Sequence, residues 1–486
     1  MLRWLPHLLA VFGFAALCLW LSMRPSVSIG LRVPEAGPGG GESGKRAPGE
    51  LNGALTNADG APAQLPGTWP CFRGPNRDGI STQPESLARS WPAGGPKQLW
   101  TIDVGEGYAG AVVQAGRVYM LDYDREKQAD ALRCMSLADG KDIWRYSYPV
   151  VIKRQHGMSR TVPAVTPKYL VSLGPKCQVV CLNPETGALL WWKDLVREFG
   201  TTVPPWYAGQ NPLIEDARPQ AKDEEKVAII APGGPEALMV ALECATGKVL
   251  WKTPNPRGWQ MTHVSIVPMT LGGRRSYVYC GSGGVAGIAA DTGEILWDTD
   301  LWTVKIATIS SPVPIEDGRL FFADGYGSGS MMLRLKPVEQ AVQPAGAKFT
   351  PEVLYRLKPG VFGVTQHAPV LYQNHIYGVR PLPDEKGELV CLDLDGKVCW
   401  VADKAKYSFG LGPMMIASGL IYVMDNTGRL VMAEASADSF KPLGDARVLK
   451  GNESWGPMAL AGTRLIVRDL TKMTCLDVGA VAEEQK

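Results

Sequence analysis

Five histidines stand in this 486-residue chain. Two of them, His263 and His367, occur at the same place in a repeated pattern, just ahead of a short β-rich run. Imidazoles so placed could bind an anion, hold a metal or act as a base. A metal needs more ligands than two, and the other reading is a pair of polar side chains bonded to neighbouring loops. At the same or the adjacent position in other copies stand Tyr108, Arg160, Gln210 and Trp455. Arg160 could pair with a ligand carboxylate or cap a loop carbonyl. No Ser-His-Asp order or paired-carboxylate spacing stands out. Gly281 to Gly287 is glycine-rich but lies between two β-rich runs and opens no helix, which is unlike a phosphate loop.

The ten cysteines include no C-x-x-C, no C-x-x-C-H and no adjacent pair. Zinc-ribbon, thioredoxin-like and c-type haem chemistry lack their minimum spacing. Cys134, Cys181, Cys391 and Cys475 fall in the third strand of successive units, where a small apolar side chain suits a core. Cys391 and Cys399 flank a turn at Asp395-Gly396. A two-residue hairpin sets Cys391 opposite Trp400, and a one-residue slip would pair the two cysteines. Net charge is +2, and no basic run interleaved with aromatics occurs, so nucleic acid is not an expected partner.

These residues must be positioned by the repeat itself. Its clearest copies are Ser136 to Trp144, Asn183 to Trp191, Glu243 to Trp251, Ala289 to Trp297 and Asp393 to Trp400. In each, Trp follows Gly by four residues. Weaker copies end at Tyr355 and Leu449. Asp, Asn or Thr before Gly makes a tight turn, and the strand after it carries an aromatic able to pack between sheets. From Trp100 onward the closing positions are 44 to 60 residues apart, and each unit holds four strands. That is a propeller blade. Opening strands near Ala111, Val162, Asn211, Val264, Ser311, Ala368, Gly412 and Gly456 predict eight blades. The last unit has three strands, and Lys97 to Asp103 is expected to supply its fourth, closing the ring.

A propeller binds at the mouth of its central channel, so Tyr108, Arg160, Gln210, His263, His367 and Trp455 are the candidate site. The eight connections leading there hold 14 Lys/Arg against 8 Asp/Glu. They also carry Trp206, Trp259 and Trp302, with Tyr148, His156, Phe362 and Phe409. Aromatic, mildly basic loops suit an anionic ligand or a protein partner. Glu215 to Lys226, Asp122 to Asp130 and Lys336 to Pro351 read as solvated insertions.

Leu5 to Met23 is nearly uninterrupted apolar sequence between Arg3 and Arg24, and no small-residue cleavage site follows. Residues 1–24 are therefore expected to form a hydrophobic helix that anchors the chain in a membrane, with a cleaved signal peptide as the alternative. Residues 25–68, rich in Pro, Gly and Ala, read as a flexible tether, and 69–480 as the propeller.

The D-x-x-T-G-x-x-x-W pattern resembles the Trp-docking repeat of quinoprotein-type propellers. The segment from Trp69 to Ser81, WPCFRGPNRDGIS, is similar to the opening of bacterial PQQ-binding-like propeller repeat proteins. The resemblance spans about residues 69 to 478. It implies two kinds of function, because the family includes pyrroloquinoline-quinone (PQQ) alcohol dehydrogenases and a non-catalytic lipoprotein that assists outer-membrane protein assembly. The catalytic members carry an adjacent Cys-Cys disulfide and a calcium site of Glu, Asn and Asp with an Asp base. This chain has no adjacent cysteines and no residues matching that set. The expectation is a tethered, exported all-β eight-bladed propeller acting as a binding or scaffold module. The alternative is a PQQ- and calcium-dependent dehydrogenase of alcohols or sugars.

Overall fold

The computed structural model describes residues 51–217, 222, 224–338, 348–383 and 386–480. The anchor helix expected over residues 1–24 lies outside them, as does the tether from 25 to 50. Among the described residues no helix is long and apolar enough to cross a membrane.

Eight antiparallel sheets of four core strands follow one another along the chain. Blade one is built from Val112–Gln114, Arg117–Asp124, Ala129–Ser136 and Asp142–Pro149. Its innermost strand lies nearest the channel, and the others step outward in sequence order. Blade eight takes Ala459–Ala461, Arg464–Arg468 and Lys472–Asp477 from the C-terminal end and Lys97–Asp103 from the start, with Trp100 opposite Cys475. The expected ring closure is thus present, and it leaves no open edge between the two ends of the domain.

The repeat has a direct mechanical meaning. In each blade the third and fourth strands shift register by one residue just beyond the closing aromatic. Cys134 faces Trp144, Cys181 faces Trp191 and Cys391 faces Trp400. The small third-strand side chain leaves room, and the indole swings onto the next blade. There its Nε1 donates to a carbonyl at the start of the turn: Trp100 to Leu137 O at 3.0 Å, Trp191 to Cys244 O at 2.7 Å, Trp400 to Ser436 O at 2.9 Å. Tyr355 does the same with its hydroxyl, to Leu394 O at 3.2 Å. The turn glycine lies under the ring. A Cβ on Gly187 would come within 2.7 Å of Trp144, and one on Gly140 within 3.0 Å of Trp100; both also have positive φ. Gly and Trp recur together because each fits the other's partner blade.

Two blades depart from the rule. Trp297 docks without a hydrogen bond, its Nε1 buried and unpaired, where blade five carries the long strands Gly329–Pro337 and Phe349–Leu357. In blade seven the register places Gly444, not Leu449, at the docking position opposite Met432. The space over Gly444 is filled by Trp91 from the N-terminal side, stacked on Tyr422 at 6.3 Å. Leu449 instead covers Gly428.

Two further expectations are corrected. Residues 51–68 do not read as a free tether: Ala54–Asn57 pairs with Asp142–Pro149 as a fifth strand on blade one, and Ala63 N donates to Gly116 O at 3.0 Å. The stretch from Asp122 to Asp130 is solvated only at its turn, Arg125 to Gln128; Asp122 and Asp130 lie on the flanking strands and are buried. Asp122 accepts from Gly105 N and pairs with Arg133 at 3.1 Å, while Asp130 accepts from Tyr148 Oη at 2.6 Å.

Candidate functional site

Each inner strand is preceded by a loop that bends over the channel, and these loops enclose a cavity of about 420 Å³. That volume lies within the range of small-ligand pockets. Tyr108, Arg160, His263, His367 and Trp455 all line it, together with Phe72, His156, Trp206, Ile306, Tyr326 and Gln366. Five of the six residues singled out in the sequence therefore meet at one place. Gln210 does not. It is fully buried, and its amide both donates to Ala231 O and accepts from Ala231 N, which ties the loop to blade three.

The rim is rigid because its polar groups are tied to one another. Tyr108 Oη donates to Glu453 at 2.5 Å, and the Tyr108 ring stacks on Trp455 at 5.3 Å. Burial and the Glu453 carboxylate push the Tyr108 phenol well above its usual range. Trp455 Nε1 donates to Asn426 Oδ1, which also accepts from Leu411 N. One indole thus couples the loops of blades one, seven and eight. Arg160 donates from Nη2 to Gln155 O at 2.7 Å and His156 O at 3.1 Å. The capping role is real, yet Nη1 remains buried with no partner.

Both rim histidines are neutral bases held in place. Burial, then the positive charge of Arg160, lowers His263 to about 4; its Nε2 lies 2.9 Å from Tyr207 O. Burial, then Arg73, lowers His367 to about 3; its Nε2 accepts from Val379 N at 3.1 Å and leaves Nδ1 without a partner. The lining contains no Asp or Glu, so the fixed charge of the pocket is the Arg160 guanidinium.

The floor comes from a segment that the repeat logic could not place. Residues 69–83 run beneath the channel and fasten to six blades. Trp69 bridges Val113, Pro70 O accepts from Val165 N, and Arg77 Nη2 donates to Ile214 O at 2.6 Å. Arg73 Nη2 donates to Pro369 O at 2.6 Å, Ile80 pairs with Ile416, and Gln83 Nε2 donates to Leu460 O at 2.8 Å. Phe72 from this segment lines the cavity. The segment therefore crosses the channel at the end away from the loops. Several expected loop aromatics go elsewhere: Tyr148, Trp259, Trp302, Phe362 and Phe409 are buried in the walls.

A calcium-held quinone does not fit this lining. The pocket offers no carboxylate. Its asparagine, Asn211, is already committed, accepting from Val162 N at 2.6 Å and donating to Ser265 Oγ at 2.8 Å. Among the described residues no three His, Cys, Asp or Glu side chains gather to hold a metal. A hard cation requires several oxygen ligands.

Fold and site together define a repeat propeller with an acid-free pocket on its loop face. Residues 128–334 match the family model described as outer membrane protein assembly factor BamB. No curated protein matches the chain. Among solved structures, BamB from Moraxella catarrhalis is 14% identical, with a TM-score of 0.49, covering 78% of this chain and 99% of that one. The quinohemoprotein alcohol dehydrogenase from Comamonas testosteroni is 12% identical, with a TM-score of 0.43, covering 86% and 82%. Both are likenesses of fold. The quinoprotein-type repeat read from the sequence is the pattern that the family model recovers.

Proposed function

We propose that this chain is a binding propeller that holds an anionic group of a protein partner or a small ligand in its loop-face pocket. The observation that carries this reading is the pocket itself: aromatic walls, one fixed guanidinium with an unpaired nitrogen, and no acid in the lining. An anion entering it meets a positive charge without displacing a competing carboxylate. The match of residues 128–334 to an assembly-factor family favours a scaffold over an enzyme. Titrating the protein with benzoate and with polyglutamate, read by intrinsic tryptophan fluorescence, tests the reading. Binding that weakens on Arg160→Gln is expected; no response to either anion would sink it. Loading with PQQ and calcium, followed by dye reduction on alcohols and sugars, tests the dehydrogenase alternative, and we expect no turnover.

The same proposal places the propeller on the exported side of a membrane, held there by residues 1–24. The apolar run from Leu5 to Met23 supports this. The full chain should stay with membranes through an alkaline wash, and a chain lacking residues 1–24 should be released.

A further inference from the structure

We propose that the pocket is a receptor for the C-terminus of a partner polypeptide, one ending in an aromatic residue with a free α-carboxylate. This rests on the binding function above and names its ligand class.

The stopper excludes a passing chain. With residues 69–83 tied to blades on both sides of the channel and Phe72 at the floor, whatever enters must end inside. An internal loop of a partner would have to turn back within the mouth. A chain terminus need not, and it carries its own charge.

The chemistry of the walls asks for two things on one residue. Tyr108, Trp455 and Trp206 offer flat apolar surfaces, which suit an aromatic ring. Arg160 lies among the same lining residues, fixed by two backbone carbonyls and unpaired at Nη1. With His263 and His367 neutral, Arg160 is the fixed positive charge of the lining, which one carboxylate balances. An internal Asp or Glu supplies the charge without the ring; an internal Phe supplies the ring without the charge. A C-terminal aromatic residue supplies both, in the mode by which chain termini are commonly captured.

The mouth extends the match. Ile306, 57% exposed, stands at its edge, and the connections around it carry 14 Lys/Arg against 8 Asp/Glu. The residues preceding the partner's terminus should therefore be acidic, which also speeds encounter at low salt.

The test uses the whole protein and three probes, measured by calorimetry and Trp fluorescence. These are acetyl-Glu-Asp-Ala-Phe with a free carboxylate, the same peptide as its C-terminal amide, and N-acetylphenylalanine. The free acid should bind at least tenfold more tightly than the amide. Arg160→Gln should bring the acid down to the level of the amide without weakening the amide further, and Arg160→Lys should restore part of the loss. The thermal midpoint of each variant separates a lost contact from a lost fold. Equal binding of acid and amide would overturn the proposal while leaving an acidic-peptide site standing. N-acetylphenylalanine binding as tightly as the tetrapeptide would also overturn it, in favour of a small-molecule carboxylate. If none of the three binds, and benzoate and polyglutamate fail as well, the binding function falls with it.

Discussion

The rings of Tyr108 and Trp455 stack at 5.3 Å with their planes 26° apart, joining the loop that opens blade one to the loop that enters blade eight. The two residues lie almost 350 positions apart in sequence, at the seam where the ring closes. Tyr108 is fixed from its other end by Glu453, so the pair forms one wall of the pocket and one lock on the seam. Trp455→Leu should remove most of the fluorescence response to anions. Tyr108→Phe, which loses a hydrogen bond to a charged acceptor, should destabilise the protein by about 1.5–3 kcal/mol. Denaturant titration of the two variants checks the second outcome, and an unchanged midpoint for Tyr108→Phe would count against the lock.

The docking tryptophans should not be equivalent. Trp191 donates to Cys244 O, whereas Trp297 has no acceptor. Replacing Trp191 by Phe leaves the buried Cys244 carbonyl with only the weak thiol donor of Cys181 at 3.6 Å. Replacing Trp297 by Phe removes a buried N–H that has none to lose. The second substitution should cost at least about 1 kcal/mol less than the first. Urea unfolding of both proteins measures the difference, and equal costs would show that the hydrogen bonds contribute little to docking.

The stopper should depend on Arg73. Its Nη2 donates to Asp78 O within the segment and to Pro369 O on blade six. Arg73→Leu removes both bonds, and hydrogen exchange over residues 69–83 should accelerate strongly. Strands of blade one such as Arg117–Asp124 should keep their protection. Unchanged exchange at 69–83 would show that the segment is held by Trp69 and Ile80 without help from the guanidinium.

Burial raises Asp130 to about 7, so folding favours its neutral form. An acid whose folded value lies above its unfolded value contributes stability that is complete at low pH and is lost as pH rises. The loss should run from about pH 4 to about pH 7 and then level off. Asp130→Asn keeps an acceptor for Tyr148 and should flatten that slope, leaving the variant more stable than the parent above pH 7. Thermal midpoints across pH 4–8 give the comparison, and parallel curves would rule Asp130 out as the cause.

His263 and His367, at about 4 and about 3, are neutral at physiological pH. In a His156→Gln protein, which removes the third histidine of the lining, anion affinity should therefore show no step between pH 5.5 and 8. A rise in affinity on acidification through the ordinary histidine range near 6.5 would mean that an imidazolium, rather than Arg160, carries the charge of the pocket.

Much of the fold was legible because its stabilising unit is local. A turn glycine and a tryptophan four residues on are read directly from the chain, and so is the need for a fourth strand in the last blade. The rim positions followed from the same periodicity, which is why Tyr108, Arg160, His263, His367 and Trp455 were found. Gln210 shared their position and took another role, since its side chain could satisfy the backbone of Ala231. Periodicity places a Cα at the rim but does not choose the direction in which a side chain finds its partner.

What the sequence determined by itself is the repeat: eight units, their strand order, and a closing aromatic in most of them. Only the tertiary structure decided what fills the irregular places. Trp91 replaces the docking residue that blade seven lacks, and Phe72 and Arg73 turn an open channel into a pocket. These contacts join residues hundreds of positions apart and follow no period. The physical reason is that a repeat encodes contacts between neighbouring blades, whereas a stopper is selected by the shape and unpaired carbonyls of a channel that exists only once all eight blades have closed.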